Sequence, residues 1–193
     1  MSLSTASLFL LGCDNTKLVS SWADPHAANY SFKKPIAVAV LDYADLRSFA
    51  EEAIVRNIMR VQACPSHIVL REGESKDLER TKQRLLADGY DGAIVLRLVD
   101  VEDKVNYVSA TYPSYYYHYW NYYSWAWNSA IYSPAYIQKE RIVRLETSLF
   151  SIKDDKHLWV GVSKSNNPES VSSLIDEIAE VIGKELRKQG IVQ

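Results

Sequence analysis

The sequence predicts a mixed α/β fold, a two- or three-layer sandwich with a β-α-β-α-β parallel core, a C-terminal β-hairpin and a long C-terminal helix. Three observations predict it. Residues 35–41 form an apolar run without alternation, amphipathic stretches then alternate with short apolar strands as far as residue 99, and strict alternation after residue 140 gives way to a three-four repeat.

Taken in order, Lys17 to Trp22 is a short strand ended by the turn pair Asp24-Pro25. Pro35 to Leu41 is apolar on both faces, as a central strand covered by helices must be. From Asp45 to Gln62 a helix capped by Asp45 carries Leu46, Phe49, Ala50, Ala53, Ile54, Asn57, Ile58 and Val61 on one stripe. His67 to Arg71 reads as a second strand. Ser75 then caps a helix that turns Leu78, Leu85 and Leu86 inward and stops at Gly89. Gly92 to Val99 is the third strand, and right-handed crossovers join the three into a parallel sheet. Arg141 to Ile152 and Lys156 to Ser163 are paired strands turning at Asp154-Asp155. The last helix opens with Asn167 as cap and Pro168 at its first position, ends at Gly190, and lines up Val171, Leu174, Ile175, Ile178, Val181, Ile182 and Leu186. No repeat of 20 to 50 residues is present, which excludes a solenoid.

At 193 residues the chain can close one sizeable core without disulfides or metals. A formal charge of −2 and the lack of any Lys/Arg run argue against nucleic acid as a partner. The first thirteen residues carry a different message. Leu8 to Leu11 is an apolar run too short to span a bilayer, which takes about 20 residues, and it reads as the apolar part of an export signal.

Leu10-Leu11-Gly12-Cys13 resembles the lipobox of bacterial lipoproteins. That resemblance implies acylation of the Cys13 thiol and cleavage before it, so that residues 1–13 hold the signal and 14–193 a single domain. Two or more acyl chains, at ~0.8 kcal/mol per buried methylene, give lasting attachment. No Lys or Arg precedes Lys17, although export signals open with positive charge, so a start truncated relative to the natural one is expected. Asp14 resembles the signal that retains enterobacterial lipoproteins in the inner membrane, a rule other bacteria do not follow. The address expected is the cell envelope, on the periplasmic side of either membrane.

Further segments carry a family resemblance: Ser20-Ser21-Trp22-Ala23-Asp24-Pro25, the Arg47 and Glu51 pair, Gly89-Tyr90-Asp91-Gly92-Ala93, Glu146 to Ser151, Leu158-Trp159 with Ser163, and Gly190-Ile191-Val192. Together they resemble the bacterial lipoprotein family catalogued as domain of unknown function 4136, over nearly all of the chain after Cys13. The order of strands and helices is also similar to the N-terminal domain of TolB, a likeness that speaks to fold alone.

Residues with chemical potential are few. His26, His67, His118 and His157 are scattered outside any metal-ligand spacing, and no phosphate loop or nucleophile elbow occurs, so no cofactor, metal or catalytic residue is assigned. Cys64 and His67 stand three residues apart, the one pair from which a small cysteine hydrolase could be built; a buried thiol beside a surface imidazole is the plainer reading. Arg47 and Glu51, one helical turn apart, read as an exposed ion pair. Asp100, Glu102 and Asp103 cluster where the third strand is expected to end, a place that would suit a cation or simply solvation.

The most distinctive stretch runs from Val105 to Gln138, with ten Tyr, three Trp and not one Asp, Glu, Lys or Arg. Tyr and Trp bring large apolar area with a polar tip, which suits interfaces. Either a binding surface or a Tyr-rich loop folded back over the sheet fits that composition. The candidate binding residues are Tyr115, Tyr116, Tyr117, Tyr119, Trp120, Tyr122, Tyr123, Trp125 and Trp127. The expected role is a non-enzymatic envelope module, held at the membrane by lipid, that binds or scaffolds an envelope protein or cell-wall component. An accessory subunit of an envelope transporter or secretion system is the narrower alternative.

Overall fold

The computed structural model describes residues 15–41, 43–58, 62–70, 78–108 and 136–192. Six strands run through them: β1 (Thr16–Ala23), β2 (Ile36–Val40), β3 (Cys64–Pro65), β4 (Gly92–Val108), β5 (Tyr136–Ser151) and β6 (Lys156–Asn166). The helices among them are α1 (Ala44–Asn57), a single turn α2 (Ser66–Val69), α3 (Leu78–Ala87) and α4 (Val171–Lys188), with a 3-10 turn at Ala27–Asn29. The fold is mixed α/β, with one sheet in the order β1-β6-β5-β4-β2-β3.

β2 lies parallel to both β3 and β4, the register with β4 running from Ile36↔Ala93 to Val40↔Arg97. β1 lies antiparallel to β6. Ion pairs join Arg97 to Glu146 and Asp100 to Arg144, so the numbering falls along β5 as it rises along β4, the mark of an antiparallel pair. Two compact units divide the chain: residues to Asp100 together with Val143–Gln193, and Val101–Ile142.

The alternation of β2 places the core of the first unit. Ala37 and Ala39 join Ile94, Leu96, Val143, Leu145 and Leu149 beneath Ala50, Ile54 and Ile58 of the α1 segment and Leu174, Ile178 and Ile182 of α4. Ile36 and Val38 point the opposite way, onto Leu85, Tyr90, Val69 and Ala93. Helices therefore cover both faces of β2, giving three layers there.

Several boundaries depart from the sequence expectation. The second strand is Cys64–Pro65 rather than 67–71, because Ser66 and His67 donate to a helix carboxylate and coil into α2. α1 is preceded by Tyr43 with no side-chain cap, Asp45 sitting in its first turn, and it ends at Asn57 rather than Gln62. Ser75 lies outside the described residues, and Leu86 of α3 is exposed while Leu85 is buried. The third strand continues nine residues past Val99. α4 starts at Val171, because Asn167 takes a left-handed φ of 49° and Ser170 forms a capping box with Ser173. The hairpin turn falls where Asp154-Asp155 placed it: Asp155 adopts φ 53° and Ser151 Oγ accepts from the Asp154 N–H at 3.1 Å.

Candidate functional site

Cys13 and the aromatic candidates Tyr115, Tyr116, Tyr117, Tyr119, Trp120, Tyr122, Tyr123, Trp125 and Trp127 lie outside the described residues. What is described is the framework to which they attach. β1, the edge strand nearest Cys13, begins at Thr16; β4 leads toward the aromatic stretch, and β5 leads away from it.

β1 is fixed at its first residue. The Thr16 hydroxyl is buried, lies 2.8 Å from Ser165 Oγ across the strand pair, and donates to the carboxylate of Glu177 on α4. Its register runs Thr16↔Ser165, Lys17↔Lys164 and Leu18↔Ser163, shifts once, and continues to Trp22↔Val160 and Ala23↔Trp159. Thr16 and Ser165 face α4, so Lys17 and Lys164 project from the other side of the sheet.

On β4 and β5 the charged residues pair across the strands. Arg97 holds Glu146 through two parallel hydrogen bonds of 2.7 and 2.8 Å, and Arg144 reaches Asp100 at 2.8 Å. In the second unit Arg141 grips Asp103 the same way, at 2.7 and 3.0 Å, and Lys104 lies 3.4 Å from Glu102. The expected carboxylate cluster of Asp100, Glu102 and Asp103 is thus divided among three cations on a strand that does not end there. Hydrogen bonds from the Arg97 and Arg141 guanidinium groups hold the Glu146 and Asp103 carboxyls below their usual range.

The Arg47–Glu51 ion pair is not formed. Glu51 is fully buried beneath α1, where the Ala39 N–H donates to Oε1 at 3.1 Å and the Ser66 hydroxyl bonds the same oxygen. Oε2 accepts the His67 N–H at 2.9 Å and lies 2.8 Å from His67 Nδ1. One carboxylate therefore ties α1, β2 and α2 together. Sequence reasoning missed this role. Position 51 lies at the edge of the apolar stripe, so periodicity alone left it on the solvated side.

Cys64 and His67 are not hydrogen-bonded to each other. The imidazole is engaged with Glu51, while Cys64 packs against the smaller core cluster that holds Tyr90. Burial, then that contact, pushes the Tyr90 hydroxyl above its usual pKa. Nucleophilic use of Cys64 requires a base at its sulfur, and this arrangement provides none from His67.

The face that carries Lys17 also carries aromatic rings. Trp22, 51% exposed, sits with its ring centroid 5.9 Å from that of His157, which stacks on Phe150 at 4.4 Å. His157 Nε2 is buried without a hydrogen-bond partner among the described residues. Among those residues no helix is long and apolar enough to cross a membrane, and no three metal-ligating side chains converge.

No protein-family description matches the chain, and no curated protein matches it. Solved structures similar to it include the PelC dodecamer from Paraburkholderia phytofirmans, at 10% identity and a TM-score of 0.44, covering 92% of this chain and 96% of that one. A single-residue variant of the same dodecamer is similar at 10% identity and a TM-score of 0.44, covering 87% and 94%. Likeness of that degree carries no argument about fold or function.

Proposed function

We propose that this chain is a lipid-anchored module of the bacterial cell envelope, tethered through Cys13 and facing the periplasm, that binds or scaffolds an envelope protein or cell-wall component without catalysis. The observation that carries this reading is the tetrapeptide Leu10-Leu11-Gly12-Cys13 behind a short apolar run, with a folded domain beginning three residues later. Acyl chains on one sulfur would supply membrane affinity that no described helix offers.

Support for a binding role comes from the charge-free aromatic stretch between β4 and β5, two strands whose charges pair in cross-strand ion pairs. A platform braced in that way holds an interface segment at fixed ends, the arrangement in which Tyr and Trp contribute contact area at low entropic cost.

The test is fractionation of cells expressing the native chain or Cys13→Ser. The native chain is expected with the membranes and the serine variant in the soluble envelope fraction or unprocessed. A serine variant that sediments with membranes as fully as the native chain contradicts the proposal, as does a native chain confined to the cytoplasm. Crosslinking of the native chain in its envelope then identifies the partner.

A further inference from the structure

We infer that the β1/β6 face bearing Lys17, Lys164 and Trp22 docks on the anionic phospholipid headgroups of the membrane that holds Cys13. The inference rests on the anchor reading above and adds to it the surface of the domain that meets the bilayer.

The first ground is an unbalanced charge pair. Lys17 and Lys164 are directly opposite in the antiparallel register, on one side of the sheet. Like charges so placed destabilise a strand pair unless an anion lies between or beneath them. Neighbouring strands solve the same problem within the protein, since Arg97, Arg144 and Arg141 each face a carboxylate. Lys17 and Lys164 have no carboxylate partner among the described residues, and Glu177 of α4 is taken up by Thr16 on the opposite side.

The second ground is reach. Lys17 follows Cys13 by four positions, at most about 14 Å of extended chain. An acylated Cys13 sits at the headgroup level, so Lys17 is held within roughly two Debye lengths of the lipid phosphates at physiological salt. Each basic residue there gains attraction to an anionic leaflet. The third ground is Trp22, half exposed on the same side of β1 and opposite Val160. An indole on the face that carries the lysines, about 13 Å along β6 from Lys164, suits the boundary between headgroups and acyl chains.

The experiment uses the full-length chain carrying Cys13→Ser, which removes the acyl contribution, and vesicles of phosphatidylcholine alone or mixed with phosphatidylglycerol. At low salt the chain is expected to partition at least tenfold more strongly onto the anionic vesicles, a preference that about 1 M salt abolishes. Lys17→Gln with Lys164→Gln is expected to lower anionic partitioning about tenfold while the urea midpoint holds or rises. Lys17→Arg with Lys164→Arg keeps the preference, and Trp22→Ala weakens binding to both kinds of vesicle. Equal partitioning onto the two vesicles overturns the inference, as does a Gln pair that keeps the preference. The mass of the native chain reads acylation separately. An acylated chain whose serine form ignores anionic lipid sinks the headgroup contact alone, whereas an unacylated chain in the native envelope sinks the anchor and this inference with it.

Discussion

The indole of Trp159 lies across Gly161: an ideal Cβ at position 161 would stand 2.3 Å from Cη2 of Trp159 and 2.9 Å from Cδ1 of Leu18. Both residues face α4 from β6, and Trp159 is fully buried. Gly161→Ala must therefore displace a packed ring, at about 1–3 kcal/mol, and Trp159→Ala empties the site, at about 3–5 kcal/mol. The double variant is expected to cost less than the sum, because the missing ring leaves room for the added methyl. Urea denaturation of the four proteins checks this, and strict additivity contradicts the contact.

Glu51 offers a sharper choice, between a buried carboxylate and a solvated one. Its four bonds come from Ala39, Ser66 and two atoms of His67. Glu51→Ala would strand those donors and is expected to cost about 3–5 kcal/mol. An exposed helix pair with Arg47 would be worth roughly 0.3–0.5 kcal/mol. Arg47→Ala is expected to change stability by less than about 0.5 kcal/mol. Equal effects from the two variants would return Glu51 to the surface.

Acid sensitivity follows from the depressed carboxyls. Hydrogen bonding to Arg97 lowers the Glu146 pKa, and hydrogen bonding to Lys156 lowers that of Asp24. A carboxyl whose folded pKa lies below its unfolded value stabilises the fold fully above the unfolded pKa, near 4, and loses that contribution as pH falls through the folded value. The urea midpoint is thus expected to decline as pH drops below about 4.5. Arg97→Met should flatten part of that decline, and a variant with the native slope would deny the Arg97–Glu146 pair its effect.

The aromatic stretch is expected to separate binding from stability. Replacing Trp120, Trp125 and Trp127 by Ala should weaken capture of the crosslinked envelope partner while leaving the melting temperature nearly intact. A large fall in melting temperature with capture preserved would make these rings part of the domain's packing instead.

Local pattern carried much of the fold. The unbroken apolar run at 35–41 became β2, covered on both faces, because a strand buried twice needs no polar side. The α4 stripe, apart from the exposed Val171, and the Asp154-Asp155 turn were equally legible, since side-chain periodicity and left-handed φ are properties of neighbouring residues. Positions that escaped depend on partners far along the chain. Glu51 looked solvent-facing because its donors Ser66 and His67 lie 15 and 16 residues downstream, and those same bonds turned an expected strand into α2. Asn167 was the cap expected from residue type, and its left-handed backbone leaves that role to Ser170. The length of β4 was hidden because Asp100 and Asp103 look like a strand end until Arg144 and Arg141 are placed beside them. Cys13 and the aromatic candidates were named from the sequence and lie outside the described residues, while the Lys17↔Lys164 register required the sheet.

The anchor can be read from one number, the intact mass of the chain purified from its own membranes. The expected species is a polypeptide that begins at Cys13 and is heavier than its amino acids by a diacylglyceryl group and a further acyl chain. A mass equal to the unmodified chain with residues 1–12 still attached would contradict it.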